Sequence, residues 1–325
     1  MHRAFRAVLA ALTAAAVFPM AQAAYPEKPI TLVIPFSAGG DADLAGRNLA
    51  AAAQTILKQP LVAANRVGAS GAIGSQVVKD AAPDGYTLLV ARVGSNAVLP
   101  ALKKDTPYKW NDFTFLGLLE LNPMVCVVHP DSPHKTVADL GRAIKAQPGK
   151  LNYSSSGVGT ILNLGSQLLL QSFGVPSNAA VHVPYKGGGE AALAVVTKDV
   201  DFSCGNLTSA LALITGGKLR PIVVTTPERV KDIPEVPTAR EAGVPALEAI
   251  VGWSALYGPP KMAPALVARW AEVLQQVARD PNWLRGEEKI GSIPRVLGPA
   301  ETEKFVESQF RVYQELGQKL GIELK

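Results

Sequence analysis

Residues 30–43 read ITLVIPFSAGGDAD, in which a β-branched, apolar run leads into two glycines and then into a helical pattern. A strand that enters a glycine turn and then a helix is typical of α/β folds. The glycines let backbone N–H groups turn toward a ligand, and the positive end of the helix favours an anion. Asp43 either caps this helix or accepts a hydrogen bond from a ligand. A plain strand–helix turn is the alternative interpretation.

The alternation of strands and helices continues outward from this stretch. Further strand-like runs lie at residues 61–64, 86–91, 125–128, 151–154, 180–183, 200–204 and 221–225. Helical patterns separate most of them, and the tail from Pro264 is mostly helical, with apolar residues at three- and four-residue steps. This order predicts parallel sheets covered by helices on both faces.

The two halves of the chain have no flexible linker between them, so we expect strands to cross directly between two lobes. The outward crossing is predicted near residues 122–125 and the return near residues 206–226. Lobe 1 is then discontinuous and lobe 2 is continuous; the predicted bounds are 24–123 with 226–325 for lobe 1, and 124–225 for lobe 2. A ligand cleft is predicted between them, where the carboxyl ends of the strands meet.

The first 23 residues predict export. A short basic start with Arg3 and Arg6 precedes an apolar stretch at residues 7–20, and residues 21–23 fit a signal-peptidase site. The apolar stretch is shorter than the ~20 residues that a spanning helix needs. We therefore predict a cleaved signal peptide at residues 1–23. An uncleaved anchor or a helix of the fold is the alternative.

The charge of the chain excludes a nucleic-acid surface. Removing the two leader arginines from the formal charge of +5 leaves +3, and no basic run or basic helix face is present. A mildly positive field favours anionic ligands. Residues 68–74 are rich in glycine but lack the spacing of a dinucleotide or phosphate loop, so we predict no cofactor.

Two residue classes bear on enzymatic and metal chemistry. Residues 154–157 lack the Gly-x-Ser-x-Gly elbow of hydrolases, and no histidine has a recognisable acid–base partner. Cys126 and Cys204 lack metal-ligand spacing, so we predict no metal site. Both lie in apolar, strand-like runs, which favours two buried thiols; one disulfide bridge is the alternative.

An ordered series of motifs covers nearly the whole chain after the leader. The series comprises YPxKPI at 25–30, PFxAGGxxD at 35–43, NRxGAxGxIG at 65–74, APDGYTL at 82–88, VHP at 128–130, LNYxS at 151–155, VHVPYKGG at 181–188, GGKLR at 216–220 and PxVPTxxEAG at 234–243. In this series the chain resembles the substrate-binding receptors of tripartite tricarboxylate transporters, also called Bug receptors.

The resemblance implies a periplasmic binding protein of the Venus-flytrap, type II-like kind, which is not an enzyme. It implies a ligand that is a small organic carboxylate: a di- or tricarboxylate, an amino acid or an aromatic acid. The expected partner is the membrane permease of such a transporter, and the receptor is expected to be a monomer. A receptor that reports its ligand to a signalling partner is one alternative, and an exported α/β hydrolase is another.

The resemblance also indicates which residues hold the ligand, mainly through backbone amides and hydroxyl groups. The family's binding loops correspond to Phe36, Ser37, Ala38, Gly39, Gly40, Asp43, Ser95, Asn96, Ser154, Ser156, Gly157, Thr160, Asn163 and Asn206. Arg92 stands where the family more often has a small residue. It either pairs with a ligand carboxylate or is a structural arginine. Lys186 is placed either at the mouth of the cleft or on the lobe surface.

Overall fold

The computed structural model describes residues 25–320, so the predicted signal peptide at residues 1–23 lies outside the described residues. The strands are β1 (Ile30–Ile34), β2 (Leu61–Asn65), β3 (Thr87–Arg92), β4 (Thr114–Asn122), β5 (Met124–Val128), β6 (Asn152–Ser155), β7 (Val181–Pro184), β8 (Phe202–Asn206), β9 (Arg220–Val224), β10 (Gly252–Gly258) and β11 (Ile293–Leu297). The helices are α1 (Asp41–Leu57), α2 (Ala72–Lys79), α3 (Leu99–Leu102), α4 (Val137–Ala146), α5 (Ile161–Ser172), α6 (Gly188–Val196), α7 (Leu207–Thr215), α8 (Pro264–Val277), α9 (Pro281–Lys289) and α10 (Pro299–Leu320).

The strands form two separate sheets. The first sheet has the order β11-β4-β10-β3-β1-β2 and the second has the order β7-β6-β8-β5-β9. In the first, β1 is parallel to β2 and β3, whereas β10 is antiparallel to β3 and β4. In the second, β6 is parallel to β7 and β8, whereas β5 is antiparallel to β8 and β9.

Both sheets are therefore mixed, whereas the alternation of strands and helices predicted parallel sheets. The reason lies in the crossing between the sheets. Strand β4 leads into β5 through Pro123 alone, so β5 enters the second sheet without the helical crossover that a parallel neighbour requires. Strand β10 also enters the first sheet without a helical crossover. It follows a loop and a short 3₁₀ turn at Pro245–Ala249.

The C-terminal helices pack back on the first sheet. Helix α8 carries the apolar stripe seen in the sequence, in which Trp270, Val273, Leu274 and Val277 are fully buried. They share one apolar cluster with residues of β1 and α1. The Trp270 Nε1–H also donates to the hydroxyl of Tyr25 at 2.9 Å, which ties α8 to the start of the described chain.

Cys126 and Cys204 form a disulfide bond, so the expectation of two buried thiols was wrong. Cys126 on β5 lies directly opposite Cys204 on β8 in the antiparallel register, with Cα atoms 4.0 Å apart. The apolar runs made both cysteines buried, as expected, but the register that brings two sulfur atoms together arises from pairing between strands 78 residues apart.

None of the helices within residues 25–320 is both long enough and apolar enough to cross a membrane.

Candidate functional site

A small cavity lies where the two sheets face each other. Its volume is about 10 Å³, which is room for about one water molecule. The lining residues come from both sheets and their following loops: Phe36, Asp41, Arg92, Val93, Gly94, Ser156, Thr160, Ile161, Leu162 and Asn206. We call the part that contains the first sheet the first half of the molecule and the part that contains the second sheet the second half. The two halves touch in this structure, and the cavity lies where they meet.

Three helices begin at this cavity. Helices α1, α5 and α7 each follow the carboxyl end of a strand, and their N-cap residues are Gly40, Thr160 and Asn206. A helix N-terminus presents unpaired backbone N–H groups and a partial positive charge. The first amides of α1 and α7 already donate, to the Ser209 hydroxyl and to the Pro123 carbonyl, so the N-terminus of α5 is the best placed of the three to hold a negatively charged group.

Close backbone approach between the two halves depends on glycine beside the cavity. A Cβ atom on Gly189 would lie 2.9 Å from the carbonyl oxygen of Gly39, closer than van der Waals contact allows. The backbone N–H of Ser37 also donates to the carbonyl oxygen of Lys186 at 3.2 Å. The glycine turn at the start of α1 is therefore a contact between the halves, in addition to a turn between strand and helix.

Arg92 is the central charged group of the site. Its guanidinium pairs with Asp41, lies 3.3 Å from Glu120 Oε1 and donates to the hydroxyl of Ser254. The Arg92 side chain is 3% exposed, and Glu120 is fully buried. Arg92 is therefore buried within the site and not on the lobe surface, and it lines the cavity while two carboxylates share its guanidinium.

Glu120 extends this network away from the cavity. The hydroxyl groups of Ser254 and Ser292 donate to its two oxygens, and the amide of Asn122 donates to Ser292 at 3.1 Å. Glu287 lies close behind. Burial, followed by the neighbouring Glu120, raises the pKa of Glu287 to about 10, so this carboxyl is protonated at neutral pH.

Asp41 and Asp43 have different surroundings although only Ala42 separates them. Successive helical residues advance by about 100°, so positions i and i+2 point to nearly opposite sides. Asp43 stays within the first half: it accepts from the Gly39 amide at 3.0 Å, from Arg47 at 2.9 Å and from Asn65 at 3.0 Å. Burial raises its pKa, but these hydrogen bonds outweigh burial and the pKa is lowered overall.

Asp41 instead points across the cavity. Its carboxylate pairs with Arg92 on β3 and also accepts from the side-chain amide of Asn206, at the end of β8. Its backbone N–H donates to the hydroxyl of Ser209 on α7 at 3.1 Å. Asp41 thus connects the first sheet to the second through side chain and backbone.

The loop after β6 is held by its own side chains. The hydroxyl of Thr160 donates to the Gly157 carbonyl at 2.8 Å, and Ser156 donates to Thr160 at 3.2 Å. Asn163 accepts from the Gly159 amide at 3.1 Å and donates to Tyr153. Ser156 and Thr160 line the cavity, whereas Asn163 does not and supports the loop from behind.

Ser155 and His182 form a close pair beside this loop. The Ser155 Oγ lies 2.6 Å from His182 Nε2, and it also accepts from the Gly157 amide at 3.1 Å. Ser155 is fully buried and does not line the cavity. Burial lowers the pKa of His182, and its ring stacks on Tyr153 with centroids 5.0 Å apart. The contact between Ser155 and His182 therefore links the end of β6 to β7.

The predicted site residues fall into three groups. Phe36, Arg92, Ser156, Thr160 and Asn206 line the cavity. A second group supports the surrounding loops: Ser37, Gly40, Asp43, Ser95, Asn96, Ser154, Gly157 and Asn163. Ala38, Gly39 and Lys186 are exposed and do not reach the cavity.

Two acidic residues of the site were missed in the sequence. Asp41 follows the glycine pair directly, but the motif directs attention to Asp43, and α1 begins at Asp41, two residues before the helical pattern that starts at Asp43 in the sequence. Glu120 lies near the end of a mostly apolar strand and could have been noticed as a buried charge without a local partner. The partner, Arg92, is 28 residues away in the sequence.

A larger groove of about 770 Å³ lies at the outer edge of the same boundary. It runs between α2 and the loop after β6, where Ser70 Oγ donates to the Val158 carbonyl at 2.6 Å. Ile73 and Val158 are about half exposed there. The groove is open and mostly apolar, with a half-buried Lys103 in its lining, whereas the lining of the cavity at Arg92 includes buried donors, so the smaller cavity is the better candidate site.

The family model described as the tripartite tricarboxylate transporter family receptor matches residues 45–322. A UPF0065 protein from the gbd 5′ region of Cupriavidus necator is 31% identical over 322 residues, covering 97% of this chain and 95% of the relative. The protein BugT of Bordetella pertussis is 28% identical over 316 residues, covering 96% of this chain and 95% of BugT.

Solved structures are similar along nearly the whole chain. The periplasmic binding protein BugD is 30% identical with a TM-score of 0.87, covering 93% of this chain and 100% of BugD. An R. palustris protein solved with adipate is 27% identical with a TM-score of 0.87, covering 92% and 99%. MatC from Rhodopseudomonas palustris with bound malate is 26% identical with a TM-score of 0.85, covering 90% and 99%. These similarities confirm the predicted α/β fold of a periplasmic binding protein.

Proposed function

This chain belongs to the tripartite tricarboxylate transporter receptor family of periplasmic solute-binding proteins, and on that premise we propose that it captures a small organic carboxylate and delivers it to a membrane permease. The observation that carries the proposal is the cavity between the two sheets, where three helix N-termini meet. Two relatives of the same fold hold adipate and malate, which are both dicarboxylates.

The ligand carboxylate is proposed to bind at the N-terminus of α5. The backbone N–H groups of Ile161 and Leu162 belong to the first turn of that helix, and both residues line the cavity together with Ser156 and Thr160. Unpaired N–H groups and hydroxyl donors hold an anion without burying a second charge.

Capture is proposed to occur by closure of two lobes, with residues 24–123 and 226–325 in one and 124–225 in the other. Two observations support these bounds: the first sheet takes its strands from residues 30–122 and 252–297, and the second from residues 124–224. A ligand that binds the closed form more tightly shifts the population toward closure. Small-angle scattering should therefore show a smaller radius of gyration when ligand is added.

Export through a cleaved leader at residues 1–23 is part of the proposal. Expression of the full chain followed by N-terminal sequencing of the periplasmic fraction should give Ala24 as the first residue. A mature protein that retains Met1 and stays with the membrane fraction would contradict it.

Ligand binding is tested by calorimetry and thermal shift against di- and tricarboxylates, amino acids and aromatic acids. A ligand at about one hundred times its Kd should raise the free energy of unfolding by about 2.7 kcal/mol. Ser156→Ala should weaken binding by about five- to tenfold, because a hydrogen bond to the ligand is lost. Ser166→Ala is the matched control, since Ser166 is buried on α5 and bonds to the Leu162 carbonyl of its own helix. Saturable binding by no member of the panel would refute the carboxylate assignment.

A hydrolase is the second candidate, because Ser155 and His182 lie 2.6 Å apart. Against it, Ser155 is fully buried, and its hydroxyl is occupied by the backbone of Gly157. We propose that the pair is structural and that the protein releases its ligand unchanged. Proton NMR of bound and released ligand distinguishes the two: turnover that Ser155→Ala abolishes would establish the hydrolase.

A further inference from the structure

The side chain of Asp41 reaches from the first half of the molecule into the second. Asp41 begins α1, which packs on the first sheet in one apolar cluster with β1. Its carboxylate accepts from the side-chain amide of Asn206, and its backbone N–H donates to the hydroxyl of Ser209 at 3.1 Å. Its Oδ1 atom also faces the start of α6, because a Cβ atom on Gly188 would lie 3.2 Å from it. These contacts break when the halves separate.

The place that this carboxylate occupies in the second half is one that favours an anion. Asn206 is the N-cap of α7, Ser209 lies in the first turn of that helix, and Gly188 is the first residue of α6. Helix N-termini carry a partial positive charge. On its other side the same carboxylate pairs with Arg92. A ligand carboxylate needs donors of this kind, and in this structure Asp41 already occupies them.

Asp41 and a ligand carboxylate compete for the same space. The cavity has room for about one water molecule, and Asp41, Arg92 and Asn206 all line it. An organic carboxylate is much larger, so the contacts between Asp41 and the second half must break before one enters. Two carboxylates in a poorly hydrated space also repel each other. The acid of the cavity lining is therefore the group that a ligand carboxylate displaces.

We propose that Asp41 is a built-in competitor of the ligand: its carboxylate occupies the place of a ligand carboxylate beside Asn206 and Arg92, and holds the halves together until a ligand displaces it. The inference rests on the proposed function and concerns the regulation of the same site. The ligand-free receptor is then partly closed, and a ligand binds only the fraction of molecules in which the Asp41 contacts are broken. The apparent affinity is reduced by that fraction.

The direction of the change in affinity tests the inference. A contact between the halves that persists in the ligand complex favours binding, whereas a contact that the ligand displaces opposes it. Asp41→Ala leaves Arg92 paired with Glu120 and should bind the ligand about tenfold or more tightly than the wild type, because hydrogen bonds to a charged group are lost from the ligand-free form alone. Asp41→Asn keeps a neutral acceptor for the Asn206 amide and should have an intermediate affinity.

Ser70→Ala is the matched control for the loss of a contact between the halves. The Ser70 hydroxyl, in the first half, donates to the Val158 carbonyl of the second half at 2.6 Å. Both residues line the larger groove and not the cavity, so a ligand in the cavity does not displace this contact. Ser70→Ala should therefore weaken binding, by about two- to tenfold. Circular dichroism and a thermal melt establish that each variant is folded.

Two measurements on the mature chain at pH 7.5 complete the test. Calorimetry uses malate, citrate, L-glutamate and benzoate, one acid from each proposed ligand class. Small-angle scattering without ligand should give Asp41→Ala a larger radius of gyration than the wild type. Weaker binding by Asp41→Ala, or an unchanged ligand-free radius of gyration, would overturn the inference and leave the carboxylate receptor intact. Binding of none of the four acids, by the wild type or by Asp41→Ala, would refute the carboxylate receptor and this inference together.

Discussion

Replacing Arg92 by methionine should destabilise the protein far more than any surface charge substitution. The side chain is 3% exposed, and its guanidinium contacts Asp41 and Glu120, which are buried as well. Methionine fills a similar volume but leaves two carboxylates without a counter-charge. Removing one partner of a buried ion pair costs about 3–5 kcal/mol, because the remaining charge stays desolvated. At about 2–4 °C per kcal/mol, the Tm should fall by about 6–20 °C.

The assay is urea denaturation at pH 7.5, followed by tryptophan fluorescence, together with a thermal melt. Arg311→Met is the matched control. Arg311 pairs with Glu307 on α10 at 2.6 Å, and the two side chains are 69% and 40% exposed. An exposed i,i+4 pair contributes about 0.3–0.5 kcal/mol, so this variant should differ little from the wild type.

The double variant Arg92→Met/Glu120→Gln tests the cause of the loss. The amide keeps hydrogen-bond partners in Ser254 and Ser292 while removing one uncompensated charge. About 1–3 kcal/mol of the stability should return. If Arg92→Met costs less than about 1 kcal/mol, or if the second substitution restores nothing, Arg92 is not the counter-ion of a buried acidic pair.

Three further substitutions test other parts of the structure. Ala at both Cys126 and Cys204 removes a cross-link over 78 residues and should lower the free energy of unfolding by about 4.5 kcal/mol in the chain-entropy estimate; urea midpoints equal to those of the oxidised wild type would argue against the bond. Burial lowers the pKa of His182, so folding disfavours its protonation and stability should fall as the pH drops below about 6.5; His182→Gln should flatten that slope in thermal melts from pH 5 to 8. The pKa of Glu287 is raised to about 10, so stability should decline as the pH rises above 4.5, and Glu287→Gln should be more stable than wild type at pH 8 but not at pH 4.

The positions of individual strands and helices could be predicted from the sequence, because the patterns that indicate them are local. The run at residues 30–34 predicted a buried strand, and the three- and four-residue steps around Trp270 predicted the buried stripe of α8. Prediction failed where the outcome depends on pairing between distant strands. The antiparallel register that joins Cys126 to Cys204 is set by the direct crossing at Pro123, which no local pattern encodes.

The candidate site was predictable in its loops and not in its charges. The motifs led to the loops that carry Phe36, Ser156 and Asn206, all of which line the cavity. They gave no sign that Arg92 contacts two carboxylates, because these come from the start of α1 and from the second half of β4. An ion pair between distant segments leaves no periodic trace in a sequence.

The spacing of Asp41 and Asp43 on α1 gives the two acids different roles. Asp43 acts within one half, where it caps the glycine turn and fixes the start of α1. Asp41, nearly opposite on the same helix turn, is free of that task and contacts both halves. A charge at Asp41 requires a buried counter-ion, and Arg92 at the end of β3 supplies it. Asp43 therefore orders the turn within one half of the molecule, whereas the Asp41–Arg92 pair, with Asn206, joins the first sheet to the second.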